Sequence, residues 1–148
     1  MRIPSAILVC WCVCCANAQP AAMKIPGLGF VWDARSNQVR PIHGIPGAAL
    51  IGEGTGQTGY SSAVISPRQD LALAISGDTG KVQLIRFSST DVQDVPGIAA
   101  PSQIVFSPSG TAALSLGTKL QLLTGFSDSL TVQDLAMPTD GGEPAAIA

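Results

Sequence analysis

Short apolar runs, each closed by glycine, proline or small polar residues, follow one another from about residue 28 onward. The runs have the length of strands, and no long stretch shows the 3.6-residue period of an amphipathic helix. In LALAI (71–75) and TAALSL (111–116), both alternating faces are apolar or small. A sheet with one solvated face would alternate apolar with polar residues, so these strands require cover on both faces. The pattern predicts an all-β protein in which sheets pack against sheets.

The chain repeats itself at an interval of 41 residues, because AVISPRQDLALAIS (63–76) aligns with IVFSPSGTAALSLG (104–117). The matching pairs are Ser66 with Ser107, Pro67 with Pro108, Leu73 with Leu114 and Ile75 with Leu116. Further matches follow in the same order: VQLI (82–85) with LQLL (120–123), VQDV (92–95) with VQDL (132–135), and IVFS (104–107) with AAIA (145–148). One Ser-Pro pair arises easily by chance, whereas several ordered matches indicate a repeat.

A shorter copy precedes the two full ones. FVWDARSNQVRPI (30–42) has the form strand, polar turn, strand, and Val39 takes the place of Val92 and Val132. Each full unit is predicted to hold four short strands, which in the first unit are AVIS, LALAIS, KVQLIRF and DVQDV. The expected organisation is a partial unit at 28–47, an inserted loop at 48–60, full units at 61–100 and 101–141, and the start of another at 142–148.

These units resemble the WD40 and YVTN-type repeats of β-propellers. SPRQDLAL and SPSGTAAL are similar to the turn S-P-x-G-x-x-A-L between the first and second strands of such repeats. FVWDARSNQV is similar to their third-to-fourth-strand hairpin, with Trp32 and Asp33 in the place of the WD pair. The Gly-His signature is absent, and Trp-Asp occurs only in the first copy, which favours a secreted bacterial propeller over a true WD40 domain. The resemblance implies four-stranded antiparallel blades and no particular activity.

The number of units leaves two explanations open, since propellers typically close with four to eight blades. The chain is either the N-terminal part of a longer propeller, or several copies complete one ring as a homo-oligomer.

The N-terminus has the pattern of a secretory signal peptide, expected at 1–18 and followed by a linker at 19–27. Arg2 precedes an apolar run at 3–15, and Ala16-Asn17-Ala18 is a small-x-small cleavage site. The run is shorter than the roughly 20 residues that span a membrane, so no stable membrane insertion is expected. The alternatives are an uncleaved anchor and a lipoprotein signal. We expect a secreted or periplasmic protein.

The positions of the cysteines and of the charged residues argue against cysteine-dependent sites and nucleic-acid binding. All four cysteines (10, 12, 14 and 15) lie inside the predicted signal peptide, which leaves no thiol or disulfide in the mature chain. The 8 basic and 10 acidic residues are scattered, without the basic cluster that tracks a phosphate backbone. Nucleic acid is therefore not an expected partner.

GTGQTG (54–59) matches the G-x-G-x-x-G fingerprint of dinucleotide-binding sites. That fingerprint needs a helix whose N-terminus faces the pyrophosphate. The residues that follow, YSSAVISP, form a strand-like run closed by proline. We interpret the motif as a glycine-rich loop between units.

The insertion PGAALIGEGTGQTGY (46–60) is the expected binding surface, since function gathers on loops that a rigid scaffold carries. Its candidate contacts are Glu53, Gln57 and Tyr60, together with His43, which precedes it at the end of a strand. One histidine and no mature cysteine give no ligand set for zinc, and no serine is marked as a nucleophile. No catalytic, cofactor-binding or metal-ligating residue is predicted.

The sequence thus favours a non-catalytic scaffold that binds an unidentified protein or small-molecule ligand. One alternative is the N-terminal part of a propeller-class enzyme, of lyase, hydrolase or quinoprotein type, with its active site mostly beyond residue 148. Another is a truncated reading frame without a stable product.

Overall fold

The computed structural model describes residues 27–89 and 91–135, and over these ranges it contains strands and turns without a helix. The strands form three antiparallel sheets, one of three strands and two of four, which confirms the all-β prediction. No membrane-spanning helix is found among the described residues. The predicted signal peptide, residues 19–26 of the linker and the unit expected to start at 142 lie outside the described residues.

The three sheets follow one another along the chain. The first sheet contains β1 (Gly27–Asp33), β2 (Gln38–Ile45) and β3 (Ala48–Ile51), in that order. The second contains β4 (Tyr60–Ile65), β5 (Leu71–Ser76), β6 (Lys81–Arg86) and β7 (Val92–Ala99). The third contains β8 (Gln103–Phe106), β9 (Ala112–Leu116), β10 (Lys119–Thr124) and β11 (Thr131–Leu135). Each strand predicted for the two full units overlaps an observed strand.

Strand β3 departs from the prediction, which assigned residues 48–60 to a loop. Ala48–Ile51 pairs with the second half of β2, from Ile45↔Ala48 to Ile42↔Ile51. The tight connection uses Gly47 at φ +91°, a conformation that glycine adopts without steric cost. All four residues of β3 are exposed, so its apolar AALI run lies at a solvent-facing sheet edge.

The Ser-Pro motifs form the turns between the first two strands of the second and third sheets. In the second sheet the Ser66 amide donates to the Leu71 carbonyl, five residues on, whereas the Ser107 amide donates to the Thr111 carbonyl, four residues on. The turn of the second sheet is therefore one residue longer. The matched positions Gln69 and Gly110 both have positive φ, +59° and +90°, which places the extra residue after Gln69.

This extra residue changes which side chains are equivalent. The predicted match of Leu73 with Leu114 is wrong, because Leu73 lies on the face of β5 turned to the third sheet and Leu114 on the face of β9 turned to the second. The structural equivalent of Leu114 is Ala74, which lies 40 residues earlier rather than 41. A shift of one residue moves a strand's side chains to the opposite face of its sheet.

Strand β5 is covered on both faces, as its sequence predicted. Ala72 and Ala74 are fully buried in a cluster that also contains Val39 of the first sheet. Leu71 and Leu73 belong to a second cluster, which contains Leu114 and Leu123 of the third sheet. The small residues on one face and the leucines on the other therefore pack against different sheets.

The β1–β2 hairpin is closed by Asp33, whose carboxylate accepts three hydrogen bonds. Its donors are the Ser36 hydroxyl (2.8 Å), the Arg40 guanidinium (3.0 Å) and the Arg35 amide (3.0 Å). These contacts lower the pKa of Asp33 from 3.8 to about 2, and the contact with Ser36 has the largest effect, followed by those with Arg40 and Arg35. The ionised carboxylate is thus part of the folded hairpin.

Acid is expected to weaken this hairpin. Because the pKa of Asp33 is lower in the folded state, its contribution is complete above about pH 4 and is lost as the pH falls towards 2. We expect the melting temperature of Asp33→Asn to fall less over this range than that of the unchanged protein. Asp78→Asn, at an exposed turn position, is the control and should leave the acid dependence unchanged. Thermal melts at a series of pH values measure both, and parallel curves for Asp33→Asn and the unchanged protein would contradict the assignment.

Candidate functional site

After β3 the chain runs alongside β2. The Gly52 amide donates to the Pro41 carbonyl at 2.8 Å, and the Thr55 amide donates to the Val39 carbonyl at 3.1 Å. The Arg40 side chain donates from Nε to the Gly52 carbonyl at 2.8 Å. These bonds fix the first half of the segment 52–59 against the first sheet.

The glycine-rich motif at 54–59 leads into strand β4 and not into a helix, so its interpretation as a loop is confirmed. Gly56 and Gly59 have φ of +90° and +88°. No atom would obstruct a side chain at either position, so the glycines serve the conformation of the backbone rather than close approach to a phosphate. The helix N-terminus that a dinucleotide site uses is not formed here.

Tyr60 and Gln57 are joined by a hydrogen bond, but only Gln57 lies at the surface. Tyr60 is 3% exposed, and its hydroxyl donates to Gln57 Oε1 at 2.8 Å. Burial raises the pKa of Tyr60. Tyr60 thus acts as an anchor beneath the loop and positions the Gln57 side chain.

Glu53 and His43 lie apart from that pair. Glu53 is exposed on the loop. His43 is half-buried on β2 beside Gly52, where a β-carbon would come within 2.7 Å of the imidazole ring. His43 borders a separate open groove of about 310 Å³ with Leu28 and Gln69. The four predicted contacts therefore do not converge on one site.

A cleft of about 180 Å³ opens between the first and second sheets, next to the segment 52–59. Its apolar lining comes from Phe30, Ile85, Phe87 and Val92. The rings of Phe30 and Phe87 stack with centroids 3.6 Å apart and an interplanar angle of 16°. This stacking joins β1 to the end of β6, so the cleft lies where the two sheets meet.

The polar lining of the cleft includes Thr55, Gln57 and Ser89. Thr55 Oγ1 is buried and has no hydrogen-bond partner among the described residues. Arg86 also borders the cleft, but its guanidinium already donates to the Phe126 carbonyl at 3.0 Å. Among the described residues of the lining there is no carboxylate, imidazole or thiol. Apolar walls with a few polar side chains are typical of a small-molecule binding site.

Sequence reasoning identified one member of this cleft, Gln57, as a candidate contact. Thr55, Ser89 and Val92 were not identified as contacts. The sequence gives little sign of Ser89 and Val92 as contacts, because they belong to a different sheet and meet the loop only when the two sheets pack together.

Among the described residues, no group of three or more histidine, cysteine, aspartate or glutamate side chains is close enough together to hold a metal ion. Comparison with known proteins gives no match to a family model, a curated protein or a solved structure.

Proposed function

We propose that this chain is a secreted, non-catalytic binding scaffold of the β-propeller type. In this proposal its ligand occupies the cleft between the first two sheets. The proposal rests on that cleft, where apolar walls, the exposed polar side chains of Gln57 and Ser89 and a loop anchored by hydrogen bonds come together. Support for secretion comes from the signal-peptide pattern at 1–18.

The propeller assignment is supported by the likeness of the second and third sheets. Both have four strands in chain order. A glutamine on the third strand donates to an aspartate on the fourth in each sheet: Gln83 to Asp94 at 2.8 Å, and Gln121 to Asp134 at 2.7 Å. The first strands of neighbouring sheets, β1 with β4 and β4 with β8, lie next to one another. Blades arranged around a central axis would place their strands in this way.

The cleft favours a ligand with one apolar ring and one polar substituent. Its volume is close to that of an engineered cavity that accepts benzene, about 150 Å³. Phe87 and Ile85 supply apolar walls, and the exposed side chains of Gln57 and Ser89 offer hydrogen bonds to a substituent. We expect p-cresol, which has both features, to bind with a dissociation constant of about 0.1–1 mM.

Binding is tested by titrating p-cresol into protein labelled at isoleucine and valine methyl groups, with detection by NMR. The methyl signals of Ile85 and Val92 should shift and saturate, since both side chains line the cleft. The Ile104 methyl groups, in the cluster between the second and third sheets, should not shift. Absence of saturable shifts at the two cleft residues would contradict the proposed site.

Two adjacent serines provide a matched pair of variants. Ser89 lines the cleft, whereas Ser88 lines a different pocket, and both are exposed. We expect Ser89→Trp to fill the cleft and to weaken p-cresol binding at least about tenfold, and Ser88→Trp to change it less than about twofold. Equal effects of the two changes would place the ligand elsewhere.

A further inference from the structure

A second pocket, of about 190 Å³, opens between the second and third sheets beside the end of β6. Arg86, the last residue of β6, pairs with Leu71, whose side chain packs towards the third sheet. The Arg86 side chain extends towards the third sheet as well, where its guanidinium reaches the Phe126 carbonyl. This guanidinium pocket and the ligand cleft therefore lie on opposite faces of the second sheet.

The positive charge of Arg86 is surrounded by neutral acceptors. Its Nε and Nη2 donate to the Phe126 carbonyl at 3.3 and 3.0 Å, and its Nη1 donates to Gln93 Oε1 at 3.2 Å. Within residues 27–89 and 91–135, no aspartate or glutamate forms an ion pair with Arg86. A guanidinium has five N–H donors, so one on Nη1 and one on Nη2 can still donate to another acceptor. Because Arg86 is half-buried, an anion would be stabilised there.

Arg68 brings a second guanidinium to the pocket, from the turn between β4 and β5. It contacts the Asp70 carboxylate at 3.0 Å. Asp70, the one carboxylate among the described lining residues, also accepts a hydrogen bond from the Ser66 hydroxyl. The two guanidinium groups outweigh this carboxylate, so the pocket is positive although the whole chain is net negative.

The rest of the lining combines apolar walls with hydroxyl groups. Leu71 and Phe126 are 6% and 8% exposed and exclude water from one side of the pocket. Charges attract one another more strongly beside such walls than in water. Ser88 and Ser127 are exposed at the rim. The Ser127 hydroxyl donates to Asp128 at 3.3 Å, which leaves Ser88 as the hydroxyl that can donate to a ligand.

We propose that this pocket is a binding site for a small oxyanion, such as phosphate or sulfate, held by Arg68 and Arg86. The remaining N–H groups of Arg86 and the Ser88 hydroxyl donate to its oxygens. Arginine suits this role because its planar guanidinium matches the geometry of phosphate oxygens. The site is separate from the cleft that binds p-cresol and does not depend on the proposed function.

The test is a titration of inorganic phosphate into isotope-labelled protein at constant pH, followed by NMR. The amide signals of Ser88 and Ser127 and the Nε–H signal of Arg86 should shift and saturate, with a dissociation constant of about 1–10 mM. The amide of Thr55, which lines the ligand cleft, should not shift. Chloride at the same ionic strength should give no saturable shift. Absence of saturable shifts with phosphate, or equal shifts with chloride, would overturn the proposal.

Charge variants distinguish this site from general attraction to positive residues. Arg68→Gln should weaken phosphate binding at least about fivefold, because it removes one guanidinium and leaves Asp70 unpaired beside the anion. Asp70→Asn should instead strengthen binding at least about threefold. Arg35→Gln, at an exposed position of the β1–β2 turn, removes the same charge and should change binding less than about twofold. Equal weakening by Arg68→Gln and Arg35→Gln, or weakening by Asp70→Asn, would overturn the proposal.

The two adjacent serines exchange their roles in this test. Ser88→Trp should weaken phosphate binding at least about fivefold, whereas Ser89→Trp should change it less than about twofold. The reverse order would place the anion in the ligand cleft and overturn the assignment. O-phosphoserine is titrated in the same way. If it binds more tightly than phosphate, the site takes phosphate groups of larger molecules, and otherwise it takes the free ion.

Discussion

Leu84→Ala is expected to lower the free energy of unfolding by about 3 kcal/mol, because it leaves a cavity between the second and third sheets. Leu84 is 0% exposed and lies in a cluster with Leu73, Leu114 and Leu123. Both sheets contribute to this cluster, so neither can close the cavity alone. Urea unfolding at low protein concentration, with circular dichroism detection, measures the loss.

Leu122→Ala is the matched control for that change. Leu122 pairs with Ala113 as Leu84 pairs with Leu73, so it holds the equivalent position in the third sheet. It is half-buried, on the face that is turned away from the second sheet. The same substitution should cost about 1 kcal/mol there, because less apolar surface leaves contact. Equal losses for the two leucines would mean that the second and third sheets do not pack as described.

Gly125→Ala is expected to cost about 2–3 kcal/mol of unfolding free energy. Gly125 has φ +78°, and a β-carbon there would collide with the Ser129 carbonyl oxygen. This backbone atom cannot move away without opening the turn between β10 and β11. The turn also carries Phe126, which is 8% exposed and lies 5.8 Å from Phe106 between ring centroids.

Gly117→Ala is the control that separates the cost of a positive φ from the cost of a β-carbon colliding with the backbone. Gly117 has φ +65°, and no atom lies within 4 Å of a β-carbon built there. Only the left-handed conformation is penalised, so the expected loss is about 1 kcal/mol. Thermal or urea unfolding of the two variants gives the comparison, and a loss at Gly117 as large as that at Gly125 would contradict the proposed collision.

Strand positions could be predicted because their signal is local. LALAI is apolar on both faces, and the structure buries Ala74 towards one sheet and Leu73 towards the other. β3 was missed because its local signal is weak: AALI is only four residues long and follows a glycine. It becomes a strand only because β2 offers it a free edge.

The repeat interval alone could not predict on which face of its sheet each side chain lies. The turn after Gln69 contains one additional residue. As a result, Leu73 faces the sheet that follows its own along the chain, whereas Leu114 faces the sheet that precedes its own. Gln69 and Gly110 still match at the interval of 41, and the change to 40 appears only in the strands that follow them. Turn length is a property of backbone pairing, which a match of apolar letters does not measure.

The candidate site could be predicted even less well, because it forms only where the first sheet packs on the second. A loop was predicted at 48–60 from its glycines and its length, and Gln57 of that loop borders the cleft. Tyr60, chosen as an aromatic contact, is buried instead beneath Gln57. Ser89, from the turn after β6, meets the loop only through the packing of two sheets, and no local pattern predicts that meeting.

Methyl NOE spectroscopy tests whether β5 lies between the first and third sheets. Along β5, the methyl groups of Ala72 and Ala74 should show contacts with residues of the first sheet, such as Val39. Those of Leu71 and Leu73 should show contacts with Leu114 or Leu123 of the third sheet. Contacts from both sets to one sheet, or contacts from only one set, would contradict the three-sheet stack.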